Sequence, residues 1–107
     1  MHPDWRLAIA YNAALQCATA ALAAAGFRAT QQAHHYRAVQ SLELTIGWPR
    51  EDVDALDTFR SRRHMVEYTR ADVVSEAEAN QAVELARKLR QDVEAWLAAE
   101  HPDLLSR

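Results

Sequence analysis

Residues 75–100 read SEAEANQAVELARKLRQDVEAWLAAE, and this stretch decides the fold class. Ser75 followed three residues later by Glu78 is a capping box: the hydroxyl takes the backbone N–H of residue 78, and the carboxylate reaches back to that of residue 75. Beyond it, Ala79, Ala82, Ala86, Leu89, Val93 and Trp96 recur at spacings of three and four, which stacks apolar side chains on one side of a helix. A helix over 76–99 is therefore predicted. Pro102 in the tail HPDLLSR is expected to stop it from going further.

The same reading extends to the rest of the chain. Pro3 and Asp4 suit a first helical turn, and Ala8, Tyr11, Leu15, Ala18, Leu22 and Ala25 give a helix over about 4–25 that Gly26 closes. RATQQ forms the connection. A second helix over about 32–46 carries His35, Val39, Leu42 and Ile46 on its stripe and stops at Gly47, with Pro49 just beyond. A third begins near Asp52, with Val53, Leu56, Phe59, Arg63 and Val66 on one face. Its acids come early (Glu51, Asp52, Asp54, Asp57) and its arginines late (Arg60, Arg62, Arg63, Arg70), which complements the helix dipole. Four amphipathic helices with short loops predict a single all-α domain over 1–107, a four- to five-helix up-down bundle.

Composition agrees with helices and excludes several classes. Of 107 residues 22 are Ala, while Gly 2 and Pro 3 leave too few turn residues for a sandwich or barrel; Rossmann-type readings drop out too. Cys17 is the one cysteine, so no internal disulfide or cysteine-clustered zinc site can form, and a cytoplasmic location is expected. The apolar run Leu7 to Phe27 reads as a helix of the fold. Asn12, Gln16 and Thr19 interrupt it, Ala drives insertion weakly, and MHPDWR lacks the basic start of a signal peptide, so no membrane association is expected. A formal charge of −3 gives no bulk attraction for a polyanion. Alanine on the first and fourth helices lets backbones approach but buries little area per residue, so a second protomer would thicken the core; a homodimer is expected.

Polar residues converge at one place. Arg63 falls within the arc of Leu56, Phe59 and Val66, and Arg60, His64 and Tyr68 run beside it at spacings of four. If the second and third helices are antiparallel across Gly47 to Arg50, equal counting from the turn sets His35 level with Arg63. His34 or His35, Arg63, His64 and Tyr68 then meet at one end of the bundle. One reading is architectural: Arg63 pairs with Glu67 or a partner-chain carboxylate, and His35 is a core histidine. The other is an anion site, with the planar guanidinium as a phosphate fork and an imidazole that moves a proton near neutrality. No cofactor or metal is expected, because adjacent His34 and His35 point about 100° apart and lack a carboxylate-rich partner motif. Cys17 reads as a small packed residue, Trp48 and Trp96 as covers for the bundle ends, and Trp5 is unspecific.

The runs AHHYRAVQSLELTIG (33–47), LDTFRSRRHMVEYTR (56–70) and SEAEANQAVELARKLRQDVEAWL (75–97) together resemble small prokaryotic HEPN-domain proteins over nearly the whole chain. The resemblance implies a dimeric four- or five-helix bundle and, in many members, a metal-independent endoribonuclease of a toxin–antitoxin or defence system. The family's site pairs an Arg, four to six residues, then a His, from both protomers across the dimer axis. It therefore implies Arg63 as the site arginine, His64 at the polar position after it, and Tyr68 where the catalytic His would fall. Tyrosine, with an ordinary pKa of about 10, is a poor proton acceptor at neutral pH. His64 beside Arg60, or His34 or His35 beside Arg63, would have to supply the imidazole; Arg28 and His34 also fit the spacing, but across a loop. The functional reading is a protein directed at RNA or a nucleotide, with Arg63, His64, His35 and Tyr68 as catalytic candidates and Arg60 and His34 as substrate-binding ones. An antitoxin or nucleotidyltransferase is the expected type of protein partner. The alternative is a non-catalytic helical module that binds a protein, whereas a DNA-binding reading lacks a basic recognition helix.

Overall fold

A computed structural model describes residues 2–27, 34–68 and 74–105, and the side chains of all of these except 34, 35, 64–68 and 105. The elements are α1 (Pro3–Ala24), α2 (His34–Thr45), α3 (Arg50–Tyr68), α4 (Glu76–Glu100) and α5 (Pro102–Leu105), so the protein is all-helical among the described residues. Each boundary has a local cause. His2 caps α1, its Nδ1 accepting the Asp4 N–H at 3.1 Å, and Pro3 sits where no N–H is needed. At the other end Gly26, at φ +91°, lets Phe27 N–H reach Leu22 C=O at 3.1 Å and Gly26 N–H reach Ala23 C=O at 3.0 Å, a Schellman closure. Gly47, at φ +69°, turns the chain between α2 and α3, and Trp48 N–H bonds back to Leu42 C=O at 3.1 Å. Ser75 Oγ accepts the Glu78 N–H at 3.1 Å, the first bond of the expected capping box, while the Glu78 carboxylate meets Arg62 of α3 at 3.0 Å.

Pro102 departs from its expected role. Helix α4 ends at His101, whose N–H bonds Leu97 C=O at 2.7 Å, and Pro102 then opens the short α5. Its fixed φ and missing N–H disqualify it inside a helix but suit the first position of a new one.

Helix direction also departs from the expected alternation. Arg6 near the start of α1 pairs with Glu76 at the start of α4 at 3.1 Å, and further along Cys17 and Arg90 line one depression between the two helices. The two helices run parallel. Against α3, however, α4 runs the other way: Arg62 meets Glu78 at 3.0 Å, Asp52 meets Lys88, and Trp48 just before α3 meets Asp92 at 2.9 Å. Helix α2 opposes α3 as well, with Arg60 stacked on Tyr36 near one end and Arg50 joined to Glu43 at 3.1 Å near the other. Of the four long helices, α1, α2 and α4 therefore share a direction that α3 opposes, which corrects the up-down order. Residues 25–33, with a contour of roughly 30 Å at about 3.3 Å per residue, do not impose the reversal that a two- to five-residue connection does.

Helix α1 is the hub, packing on α4 most extensively and also on α2 and α3. Its buried apolar side chains are Leu7, Ala10, Tyr11, Ala14, Ala18, Ala21 and Leu22, a wider arc than the single stripe expected, and Asp4 is buried too, accepting the Val74 N–H at 3.3 Å; Ala8, Leu15 and Ala25 are only half-buried. Contact with three neighbours demands that width. By length and composition α1 is apolar enough to cross a membrane, a property that a core helix shares. The remaining core comes from Ala38, Val39 and Leu42 of α2, Val53, Leu56 and Phe59 of α3, and Ala79, Ala82, Leu89 and Val93 of α4. Trp48 is buried beneath the α2–α3 turn, while Trp96 is half-buried with its ring 4.9 Å from that of His101. Trp5 stands 69% exposed.

The Trp48 Nε1–H bond to the Asp92 carboxylate joins the α2–α3 turn to α4. A double-mutant cycle of Trp48→Phe and Asp92→Asn in urea unfolding is expected to give a coupling of about 1–2 kcal/mol, since the acceptor is charged and the site partly buried. A coupling of zero would remove this bond from the forces that orient the turn.

Candidate functional site

The consecutive turns of α3 send their arginines in different directions. Arg62 turns to α4 and its Nε lies 3.0 Å from Glu78. Arg60 and Arg63, three residues apart and hence on one flank, turn instead to α1 and α2. The Arg63 guanidinium carbon lies 5.7 Å from the centre of the Tyr11 ring, and that of Arg60 lies 5.6 Å from the centre of the Tyr36 ring. Tyr11 is 1% exposed and Tyr36 is 50% exposed, so one cation sits against a core ring and the other against a surface ring. Each stacking contributes on the order of 0.5–2 kcal/mol, more where water is excluded. Asp57 Oδ1 holds Arg60 Nε at 2.8 Å, one turn back on α3, and fixes the orientation of that guanidinium.

Electrostatics at this cluster act through Tyr11. Burial pushes its phenol up to about 12; the positive charges of Arg60 and then Arg63 oppose the shift, and Asp57 adds to it. The phenol is therefore neutral at pH 7. It serves as a hydrophobic platform with a polar tip, not as a base.

Of the residues singled out from the sequence, Arg60 and Arg63 are brought to one flank of α3, both half-buried. The side chains of His34, His35, His64 and Tyr68, and the whole of Arg28, lie outside the described residues. The backbone does carry His34 and His35 in the opening turn of α2, the turn that holds Tyr36 against Arg60. The Tyr36–Arg60 contact lies within about one turn of the register obtained by counting from Gly47.

Three members of the cluster were missed. Tyr11 falls on the apolar stripe of its helix, Tyr36 lies off the stripe of its own, and Asp57 reads from the sequence only as one of the early acids of the third helix. Counting three residues back from Arg60 would have found Asp57, whereas the two tyrosines come from helices whose direction the sequence does not specify. Cys17 behaves as the packed residue expected of it: it is half-buried and burial raises its thiol pKa, with Arg90 opposing the shift and Glu94 adding to it. Among the described residues no group of three His, Cys, Asp or Glu side chains gathers as metal ligands do. No family model, curated protein or solved structure matches the chain.

The Tyr11 shift has a definite sign. A folded pKa above the unfolded value of about 10 means that its contribution to stability is full below pH 10 and is lost as pH rises through about 12. Alkaline titration of tyrosinate absorbance, with helix content followed by circular dichroism, is expected to lose its latest-titrating component in Tyr11→Phe. Loss of a component near pH 10 instead would contradict the burial of this ring.

Proposed function

We propose that the chain is a HEPN-like helical domain that binds RNA or a nucleotide through the Arg60 and Arg63 flank of α3. The observation that carries this reading is the pairing of two guanidinium groups from adjacent turns, each stacked on a tyrosine ring beside the first turn of α2. A guanidinium presents a planar donor fork that matches phosphate oxygens, and stacking limits the motion that binding would otherwise have to arrest. Tyr36, exposed and already bearing a cation, offers its ring to a base next to the phosphate, as single-strand binders do. The overall charge of −3 makes this a local attraction, so affinity rests on a few contacts and not on a basic surface.

In the catalytic form of this reading, Arg63 stabilises the pentacoordinate phosphate while His35, His34 or His64 accepts the proton of the attacking 2′-hydroxyl. The 2′-oxygen bonds to phosphorus as the bond to the 5′-oxygen breaks, the 5′-oxygen takes up a proton from water, and a cyclic phosphate remains on the upstream fragment. A cytoplasmic homodimer is the form in which we place this activity. The second reading, a non-catalytic module that binds a protein, is favoured by one observation: Tyr68 stands where the resembling family carries its His, and a neutral phenol does not accept that proton at pH 7.

Fluorescence anisotropy of a labelled single-stranded RNA, in EDTA, tests both. Wild type is expected to bind with a log–log salt slope of about −1 to −2, the signature of two or so phosphate contacts. Arg60→Ala and Arg63→Ala are each expected to weaken binding about tenfold, the scale of one charged hydrogen bond. Arg62→Ala, on the flank facing α4, is expected to leave affinity unchanged. Absence of binding by wild type, or equal losses for all three variants, would contradict the RNA reading and leave the protein-binding module. If cleavage products appear, they are expected to vanish in Arg63→Ala and to persist without metal.

A further inference from the structure

We propose that the depression between α1 and α4 binds a medium-chain aliphatic monocarboxylate, its tail along the apolar floor and its carboxylate at Arg87 and Arg90. At 100° per residue the positions of α1 that line this depression point away from Tyr11, and hence from Arg63. The proposal and the RNA reading can therefore fail independently.

The depression encloses about 330 Å³, near the lower end of the range for small-molecule sites. Ile9, Ala10, Ala13 and Cys17 of α1 and Val83 and Ala86 of α4 form its floor, and Arg6, Arg87 and Arg90 complete the lining. Among the described residues three cations and no carboxylate therefore line it. A ligand with an apolar body and an anionic head matches that combination. A bare inorganic anion would leave the floor in water, and a neutral hydrocarbon would leave the guanidinium groups unanswered.

The parallel course of the helices gives the groove two different ends. Arg6 is level with Glu76 and Asn80, which take its two Nη groups and make it part of the architecture at one end. The same register sets Cys17 level with the turn of α4 that carries Arg87 and Arg90, which are exposed and three residues apart on one flank. Each of these two joins a carboxylate of its own helix, Arg87 Nη1 to Glu84 at 2.7 Å and Arg90 Nε to Glu94 at 3.0 Å. Exposed pairs of this kind contribute little to stability, and each uses only part of the donor fork, so both guanidinium groups keep N–H donors for a ligand. A carboxylate set between them gains charge-assisted hydrogen bonds beside an apolar floor, where charge acts more strongly than in open water.

The groove also sets the length of the tail. From Cys17 back to Ile9 is about 12 Å at 1.5 Å per residue. A zigzag chain with carbon–carbon bonds of about 1.5 Å advances roughly 1.25 Å per carbon, so about nine or ten carbons span it. At about 30 Å³ for a methylene-sized group, close to one water's share of the liquid, 330 Å³ holds about eleven such groups. Length and volume both fit decanoate.

Cys17, the one thiol of the chain, reports occupancy from inside the depression. The experiment follows its alkylation by iodoacetamide in the intact protein, with helix content checked by circular dichroism. Decanoate is expected to slow the reaction severalfold, with a half-effect on the order of 0.1 mM. Hexanoate is expected to need at least about tenfold more, at roughly twofold per methylene in a half-open groove. Decanol, with the same tail and no charge, and decanoate on the Arg87→Gln, Arg90→Gln double variant are each expected to lose about tenfold or more in affinity. Ala13→Leu, which fills an exposed part of the floor, is expected to abolish the effect of decanoate, and Arg63→Gln to leave it unchanged. The proposal is overturned by an unaltered alkylation rate at decanoate concentrations that preserve helix content. Equal protection by decanol, or undiminished protection in the double variant, overturns it as well.

Discussion

The close approach of α1 and α4 governs the rest of the structure. Ala10, Ala14, Ala18 and Ala21 on one helix and Ala79, Ala82 and Ala86 on the other belong to the core these helices form, with Leu7, Tyr11 and Leu22 of α1 and Leu89 and Val93 of α4 as its larger buried side chains. Small residues allow helix axes to approach the lower end of the usual 8–10 Å range, where backbone atoms as well as side chains make dispersion contacts. Any larger residue there would push the helices apart. This seam determines how α1 is rotated. Tyr11 is directed towards the arginines of α3, Leu7 into the core, and Trp5 with Ile9 away from the bundle.

Rotation of α1 then links fold to chemistry. A guanidinium beside a buried phenol ring is confined in a way that one on a surface helix is not, and its charge acts at short range in a partly dehydrated setting. Arg60 adds a second cation, oriented by Asp57 and stacked on Tyr36. Arg62, one residue away from Arg63, joins a carboxylate of α4 and belongs to the architecture. The division of neighbouring arginines between binding and structure follows from 3.6 residues per turn combined with helices on both sides of α3.

Much of this was legible in the sequence, and the part that was not has a physical reason. Ser75 with Glu78, Gly26, and Gly47 before Pro49 marked helix ends because capping and positive-φ closure are local chemistry. The period of Val53, Leu56 and Phe59 placed Arg63 against the core for the same reason. Helix direction is not local. Nothing in residues 25–33 reports whether α2 returns antiparallel or parallel to α1, and without that the partners of Arg60 and Arg63 could not be named. Pro102 illustrates a milder ambiguity, since one residue both forbids a helix interior and favours a helix start.

The parallel course of α1 and α4 is tested most directly by two distances between spin labels, in chain diluted with unlabelled protein to suppress signals between copies. Labels at Trp5 and Ala77 are expected to lie close, side by side at the start of both helices. Labels at Trp5 and Ala98 are expected to be separated by roughly 31 Å more along the axis, at 1.5 Å per residue. The reverse order, with Ala98 the nearer, would contradict the parallel seam and with it the placement of Tyr11 beside the arginines of α3.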